Sequence, residues 1–368
     1  MAAVYTYLAC DLLTNQVLDE LPLHGVTMDR LINKPGNFGG ATNLDNERLS
    51  NDALKAATVP GRTALYVYRD DQIVWGGIIW SRVYQSQAKS LQLTGQTFES
   101  YAYRRVYKLS TGKFVYNDKQ TAIIRSLWER MQSFDNSNIG VLVPDVDTLP
   151  SNDVVRQLTI NSWDFKKYGE YIDDPLMNFW NSAEWTIECF EEAGMPSKRL
   201  ILSYPQMGIQ MPYSEMVLQY PGNILNYYWT ENASSSVNRA WATGDGDGSD
   251  IKFAFSEKSN LSGYPLLEEV YNHPGVTVQA TIDNHAIKDL NANALPRIGK
   301  TIQLKADEAP TIFSNSIGDE ARLYIEDPWH GVLDTTVRVV GWNVTPSSSD
   351  SVEEVTVVLE GDESEVAA

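Results

Sequence analysis

Cysteine and histidine, the residues on which most metal and redox sites depend, are scarce in this sequence. The 368 residues include two cysteines, Cys10 and Cys189, which do not form the Cys-x-x-Cys spacing of a zinc or redox motif. No two of the four histidines stand four residues apart, the spacing that puts two zinc ligands on one helix face. We therefore expect no zinc site and no cofactor, and we interpret both cysteines as buried thiols, with one disulfide between them as a lesser alternative.

Positive charge is also scarce. Lys and Arg number 29 against 48 Asp and Glu, which gives a formal net charge of -19. An acidic surface repels phosphate, so the composition argues against a protein that grips nucleic acid. It would suit the wall of a channel through which DNA slides without sticking.

Long apolar runs and common enzyme motifs are absent. No window approaches the ~20 apolar residues that span a bilayer, and the first ten residues lack the pattern of a signal peptide. We expect a protein that stays in the cytoplasm where it is made, or leaves it only as part of something released, and that has no membrane segment. Neither a Gly-x-Ser-x-Gly elbow nor a Gly-x-x-x-x-Gly-Lys phosphate loop occurs, and we expect no enzyme. A glycoside hydrolase stays a lesser alternative, because its two carboxylates follow no fixed spacing.

The length indicates more than one domain, because single cores stop growing near ~250–300 residues. In the first hundred residues, β-branched and aromatic residues predict strands at 4–8, 73–80 and 91–94. The polar residues 69–72 predict a hairpin connection. Gly76 and Gly77 inside a strand predict a bulge, a bend or a close approach of two backbones.

Two amphipathic helices are predicted in the middle of the chain. Apolar residues recur at three- and four-residue steps between 123 and 134, with Asp118 as the expected N-cap. The second helix is expected from Asp174 as N-cap and Pro175 at its first position to Gly194 at its end. Its glutamates are interpreted as a solvated face, in preference to a catalytic pair.

One loop has the composition of a cation site. Asp245, Asp247 and Asp250 are closely spaced oxygen donors of the kind that calcium prefers. The spacing is not that of an EF-hand, so a flexible hairpin loop is the better interpretation, with calcium as a weak candidate.

Strand patterns return after residue 274. Short runs are expected at residues 277–282, 301–304, 321–325, 336–344 and 355–359, separated by turn clusters. Several strands at such spacing favour a small barrel or sandwich.

Eight segments together resemble the minor tail proteins of phages that infect actinobacteria. The segment Thr-Val-Pro-Gly-Arg-Thr-Ala-Leu-Tyr-Val-Tyr-Arg at residues 58–69 resembles part of their N-terminal domain. The other segments lie at residues 73–82, 93–101, 220–225, 238–240, 317–323, 338–342 and 355–360. Their common order extends the resemblance over nearly the whole chain.

The resemblance implies a strand-rich α+β fold with two small β-barrel tube domains that flank inserted helical and mixed α/β domains. The expected divisions are residues 1–106 and 276–362 for the barrels, 107–212 for the helix-containing domain, 213–275 for the mixed domain and 363–368 for a disordered tail.

The resemblance also implies a structural role as the baseplate hub at the tail tip of a long-tailed phage. Three copies would form a pseudo-sixfold ring that continues the tail tube. The ring would contact the distal tail protein, the tape measure protein, other minor tail proteins and the tip fibre or spike, and DNA would pass only in transit. Asp and Glu should outnumber Lys and Arg on the lumen wall. Receptor binding would reside in other tip proteins.

A receptor- or carbohydrate-binding tail module is the main alternative. It predicts exposed Trp and Tyr side chains beside polar groups.

Overall fold

The computed structural model describes residues 3–44, 48–173, 176, 182–246, 248–258, 263–294, 297–305, 317–347 and 353–361. The chain divides into two compact units. Unit 1 comprises Met1–Asn226 and Ile302–Leu359, and unit 2 comprises Tyr227–Thr301 and Glu360–Ala368. The domain boundaries expected from the sequence are finer than this division and stay predictions.

Unit 1 begins with a series of strands. In chain order the elements are β1 (Tyr5–Asp11), β2 (Val17–Glu20), β3 (His24–Leu31), β4 (Asn37–Asn43), α1 (Asn51–Ala57), β5 (Thr63–Arg69), β6 (Gln72–Gln85), β7 (Ser90–Thr97) and the 3-10 helix Phe98–Arg104. Buried Leu91 and Leu93 alternate with exposed Gln92 and Thr94 along β7, as expected for a strand with one covered face. The strands predicted at residues 4–8, 73–80 and 91–94 are confirmed.

The predicted hairpin joins β5 to β6. Asp70 and Asp71 form its two-residue connection, and both have a positive φ, of 47° and 67°. A turn of this kind follows the right-handed twist of the two strands. In β6, a Cβ atom added at Gly77 would lie 2.2 Å from the backbone oxygen of Gln96, so the predicted close approach of two backbones is also confirmed.

The middle of unit 1 contains the helix that the apolar stripe predicts. The elements are β8 (Lys113–Lys119), α2 (Gln120–Gln132), β9 (Val141–Leu142), the 3-10 helix Val146–Thr148, β10 (Val155–Asn161), α3 (Tyr168–Asp173), β11 (Glu184–Glu192) and β12 (Met195–Ser203). The apolar stripe of α2 is buried in a core cluster that also includes Trp185. Asp118 is not the N-cap, because Lys119 holds that position. Asp153 instead accepts a hydrogen bond from the backbone nitrogen of Thr121 at 2.6 Å.

The second predicted helix is wrong where the structure describes it. Residues 184–192 form β11, which pairs antiparallel with β12, while Asp174 and Pro175 lie outside the described residues. Trp185 and Ile187 are both buried on one side of β11, and their two-residue spacing is that of a strand face and not of a helical stripe. The glutamates of this segment therefore belong to a strand.

The remaining strands and the last helix complete the chain. They are β13 (Val217–Tyr220), β14 (Ile224–Asn232), β15 (Arg239–Thr243), the 3-10 helix Gly248–Asp250, β16 (Phe253–Glu257), β17 (Glu268–Asn272), α4 (Gln279–Asn293), β18 (Arg297–Lys305), β19 (Glu320–Asp327), β20 (Gly331–Thr345) and β21 (Glu354–Gly361). The strands predicted at 301–304, 321–325, 336–344 and 355–359 are confirmed.

The strand predicted at residues 277–282 is wrong, because α4 begins at Gln279. Ile282, Ala286 and Leu290 are buried at four-residue steps, so the burial of one helix face outweighs the β-branched composition of this segment. Residues 362–368, which include the expected tail, lie outside the described residues.

A 13-stranded sheet contains strands from both ends of the sequence. Its order is β14-β18-β21-β20-β3-β4-β7-β6-β5-β1-β2, with β19 beside β20 and β13 beside β19. Strands account for 48% of the structure and helices for 17%, which makes the fold α+β and strand-rich, as the sequence predicts. No helix within the described residues is long and apolar enough to cross a bilayer.

Candidate functional site

The aspartate-rich loop contains the three candidate calcium ligands Asp245, Asp247 and Asp250, of which Asp247 lies outside the described residues. The backbone nitrogen of Asp245 donates to the carbonyl of Val276 at 2.9 Å, and Gly246 has a φ of 139°. Among the described residues, no three His, Cys, Asp or Glu side chains are grouped so that they could hold a metal ion. Calcium binding in this loop stays a prediction.

One face of the large sheet is exposed or half-buried across β20, β3, β4, β7 and β6. Neighbouring side chains on it follow the strand register, which pairs Thr27 with Gly39, Gly39 with Thr94 and Thr94 with Ser81. We call this surface the open sheet face; its members are Thr27, Asp29, Asn37, Gly39, Ala41, Ser81, Val83, Gln92, Thr94, Gln96 and Asn343.

The open sheet face carries almost no charge. None of its members is Lys or Arg, and Asp29 is its single carboxylate. Both oxygens of Asp29 accept hydrogen bonds from Asn37, one from the backbone nitrogen at 2.8 Å and one from the side chain at 3.1 Å. The members of this face therefore offer no cation to a phosphate backbone, although Gln96 at its edge also lines a pocket that contains Lys34, Arg104 and Lys167.

A buried ion pair ties the start of unit 1 to its last strand. Nε and Nη2 of Arg69 each donate to one carboxylate oxygen of Glu353 at 2.8 Å, and the hydroxyl of Tyr5 donates to the same carboxylate. The side chains of Arg69 and Glu353 are 13% and 7% exposed. The hydrogen bonds to Glu353 raise the pKa of Arg69. The pair fixes β5 to the segment that leads into β21.

A second ion pair connects β20 to the middle of unit 1. Nη1 of Arg338 donates to Glu184 at 2.7 Å, and Nη2 contacts the other oxygen of the same carboxylate. Arg338 also donates to the carbonyls of Gly318 and Met207, each at 3.0 Å. These contacts hold three chain segments around one guanidinium group.

Lys198 is a buried ionisable residue that sequence reasoning missed. Its side chain is 1% exposed, and Nζ lies 3.0 Å from the hydroxyl of Tyr66 and 4.7 Å from the ring centre of Phe98. Burial lowers the pKa of Lys198 to about 8. Lys198 and Leu200 are both buried on one face of β12, and Arg199 between them is exposed. This period-two pattern is the signal by which the sequence could have indicated the burial of Lys198.

The two cysteines are free thiols in the structure, and no disulfide joins them. Burial raises the pKa of Cys10 to about 11 and that of Cys189 to about 12. Thiols with such high pKa values form little thiolate at neutral pH and react slowly. Cys10 is the buried thiol that the sequence predicts, whereas Cys189 is half-buried.

A pocket of about 460 Å³ in unit 1 gathers positive charge. Lys34, Arg104 and Lys167 line it together with Asp173, which accepts a hydrogen bond from the hydroxyl of Tyr103 at 2.9 Å. None of the three cations forms an ion pair with another residue in the described part of the chain. The pocket can therefore receive a carboxylate from a partner.

No protein-family model matches the chain, and no curated protein matches it. Solved structures identify its fold as that of phage tail proteins.

Two of these structures match nearly end to end. The 43 kDa tail protein of prophage MuSo2 from Shewanella oneidensis has a TM-score of 0.62 at 9% identity, covering 97% of this chain and 98% of that one. The tail protein of Neisseria meningitidis MC58 has a TM-score of 0.58 at 14% identity, with coverage of 97% and 96%. A chain of the lidded Francisella PdpA–VgrG complex has a TM-score of 0.58 at 11% identity, and the match covers 99% of this chain and 53% of that one.

Proposed function

We propose that this protein is a structural, non-enzymatic component of a phage tail, and that three copies form the baseplate hub at the tail tip. The observation that carries the proposal is the end-to-end likeness in fold to two phage tail proteins. It agrees with the resemblance that the sequence motifs indicate independently. Phages of actinobacteria remain the proposed source.

The hub would form a ring that continues the tail tube, with one barrel-like domain from each end of the sequence. The pairing of β20 with β3 supports this idea, because it brings strands from both ends into one sheet. The open sheet face is our candidate for the lumen wall, since its members include one carboxylate and no cation and so offer DNA no cationic contacts.

The proposed partners are a second and a third copy of the chain, the distal tail protein ring, the tape measure protein, other minor tail proteins, and the tip fibre or spike. The cationic pocket at Lys34, Arg104 and Lys167 offers one place for the carboxylates of such a partner. The protein would be assembled in the host cytoplasm and retained in the virion, where DNA crosses its lumen only at ejection.

Native mass spectrometry and negative-stain imaging of the purified full chain test the proposal. We expect a species of three times the chain mass and threefold particles with a central hole wide enough for a DNA duplex. A monomer at all concentrations would remain compatible with assembly on the distal tail ring, so the same imaging is applied to that mixture. A molecule that stays off the central axis in both samples would overturn the proposal.

No observation in the described residues favours a glycoside hydrolase. The exposed aromatic side chains of Phe253 and Phe255 in unit 2 favour carbohydrate binding as a second activity.

A further inference from the structure

Unit 2 presents an uncovered row of apolar side chains. Its three-stranded sheet has the order β16-β15-β17, and Trp241 on β15 is in register with Phe255 on β16 and Val270 on β17. Phe255 and Val270 are 53% and 52% exposed, and Phe253, which faces the same side, is 58% exposed. We call these four residues the aromatic row.

The aromatic row is not needed to complete the core of unit 2. Ala240 and Ala242 occupy the opposite face of the same strand, where they pack in clusters with apolar residues of α4, among them Ile282 and Leu290. The helix already covers that face of the sheet. Large exposed apolar groups without such a packing role mark a binding surface.

Hydrogen-bonding groups border the aromatic row on both sides. On one side Arg239 lies between two carboxylates, with Nη2 at 2.8 Å from Glu257 and Nη1 at 3.1 Å from Glu268. On the other side the hydroxyl of Thr243 donates to the side-chain oxygen of Asn272 at 2.6 Å. The apolar strip is therefore one residue wide on β15 and β17 and two residues wide on β16, where Phe253 is in register with Thr243. Polar groups lie along both of its edges.

Contacts within the surface fix its side chains before any ligand arrives. Nε1 of Trp241 donates to Glu268 at 3.0 Å, and the rings of Trp241 and Phe255 lie 4.9 Å apart. The guanidinium of Arg239 lies 5.6 Å from the ring centre of Phe255. The hydrogen bonds from Trp241 and Arg239 lower the pKa of Glu268, so its carboxylate is ionised at neutral pH. A surface ordered in this way loses little conformational entropy on binding.

We propose that this surface binds a neutral saccharide. A sugar ring has an apolar face of C–H groups, which aromatic rings can cover, and a rim of hydroxyls, which carboxylate, guanidinium and amide groups can bind. Three strands place the outer side chains about 10 Å apart, enough for a pair of sugar rings.

Two features select this ligand over others. The carboxylates of Glu257 and Glu268 disfavour polymers that carry phosphate. A stable protein partner would need about 800 Å² of buried surface on each side with an apolar centre, and a strip of four apolar side chains does not supply it. The expectation that receptor binding resides wholly in other tip proteins is then incomplete. The proposal does not depend on the hub function.

Saturation-transfer NMR of the full chain with chitohexaose, cellohexaose and maltohexaose tests the proposal. At least one of these oligosaccharides should bind, and Phe255→Ala should weaken that binding about tenfold, since it removes a ring from the strip. Phe253→Ala serves as a second variant if Phe255→Ala alters the far-UV circular dichroism. Trp329→Ala is the matched control, because Trp329 is an exposed aromatic residue, at 84%, outside unit 2.

Trp329→Ala should bind as the wild type does. Binding by none of the three oligosaccharides would overturn the proposal. Binding that a correctly folded Phe255→Ala or Phe253→Ala variant retains in full would also overturn it.

Discussion

At the scale of single residues, the burial of the ionisable side chain of Lys198 destabilises the folded state. No carboxylate appears among the causes of its pKa shift, which burial dominates. A lysine with a folded pKa of about 8 and an unfolded pKa of about 10.4 lowers stability by about 3 kcal/mol below pH 8. The penalty declines between pH 8 and 10.4, because the unfolded chain then binds more protons than the folded one.

Lys198→Met should therefore raise the free energy of unfolding at pH 7, by about 1–2 kcal/mol once the loss of the contact with Tyr66 is included. The gain over the wild type should shrink as the pH rises from 8 to 10. Denaturant unfolding of both proteins at pH 7 and pH 10 measures this difference. Cys10 and Cys189 are present in both proteins, so the effect of their titration on stability largely cancels when the two are compared. Lys55→Met is the control, since Lys55 is exposed, and its effect should be the same at both pH values.

For the ion pair of Arg69 and Glu353 we expect the opposite effect, a loss of stability when the charge of one partner is removed. Glu353→Gln removes the closer and more buried of the two carboxylates beside Arg69 and leaves only exposed Asp70, 3.4 Å from Nη1. It should lower the free energy of unfolding by about 3 kcal/mol. The exposed pair of Arg322 and Asp334 is a matched control with similar bidentate geometry. Asp334→Asn should cost much less, because water screens an exposed pair. Equal losses in urea unfolding would show that Glu353 does not act as a buried partner.

At the scale of elements, the hairpin of β11 and β12 has a turn that its sequence fits only in part. Ala193 and Gly194 connect the strands with φ values of 51° and 77°. An alanine pays a steric cost in this left-handed region, whereas Asn tolerates it and Asn-Gly is the preferred pair for such turns.

Ala193→Asn should raise the free energy of unfolding by about 0.5–1 kcal/mol. Gly194→Ala should lower it by a similar amount, because it adds a second side chain at positive φ. Thermal unfolding of the two variants and the wild type checks the predicted order. A stabilised Gly194→Ala variant would contradict this account of the turn.

Elements with local sequence signals were predicted correctly, and elements that depend on distant pairing were not. The connection at Asp70 and Asp71 and the stripe of α2 were predictable, because their signals are local. In β11 the apolar residues fit both a helical and a strand period, and the choice depends on pairing with β12. The β-branched residues at the start of α4 predicted a strand at residues 277–282, because the burial that favours the helix depends on contacts with other elements. No local pattern indicates that β20 pairs with β3, some 300 residues away in sequence.

The open sheet face and the aromatic row were harder to predict from the sequence than the local elements. The excess of acidic residues predicts that Asp and Glu outnumber Lys and Arg on the lumen wall, and this stays a prediction. The open sheet face has one carboxylate and no cation among its members. Its composition could be recognised only after the register of five strands had assembled it. The aromatic row of unit 2 likewise depends on the pairing of Trp241 with Phe255 and Val270. By contrast, composition alone was enough to argue against a surface that grips DNA.

At the scale of the whole molecule, we expect the open sheet face to point toward the axis of the ring if the protein is a hub. A spin label at Gln92→Cys would then lie on the lumen wall, whereas one at Gln157→Cys, on the exposed side of β10, would not. Cys10 and Cys189 should leave little background labelling, because their raised pKa values keep them protonated.

In assembled protein, pulsed electron paramagnetic resonance should give one distance between Gln92 labels, and it should be shorter than the distance between Gln157 labels. A ring requires this order, because positions near its axis are closer to their symmetry mates than positions on its rim. Diluting labelled with unlabelled chains should reduce the amplitude of both distance signals, because fewer rings then contain two labels. The distances themselves should not change. If the Gln157 labels gave the shorter distance, the open sheet face would lie on the outside, and the neutral surface would need an explanation other than the passage of DNA.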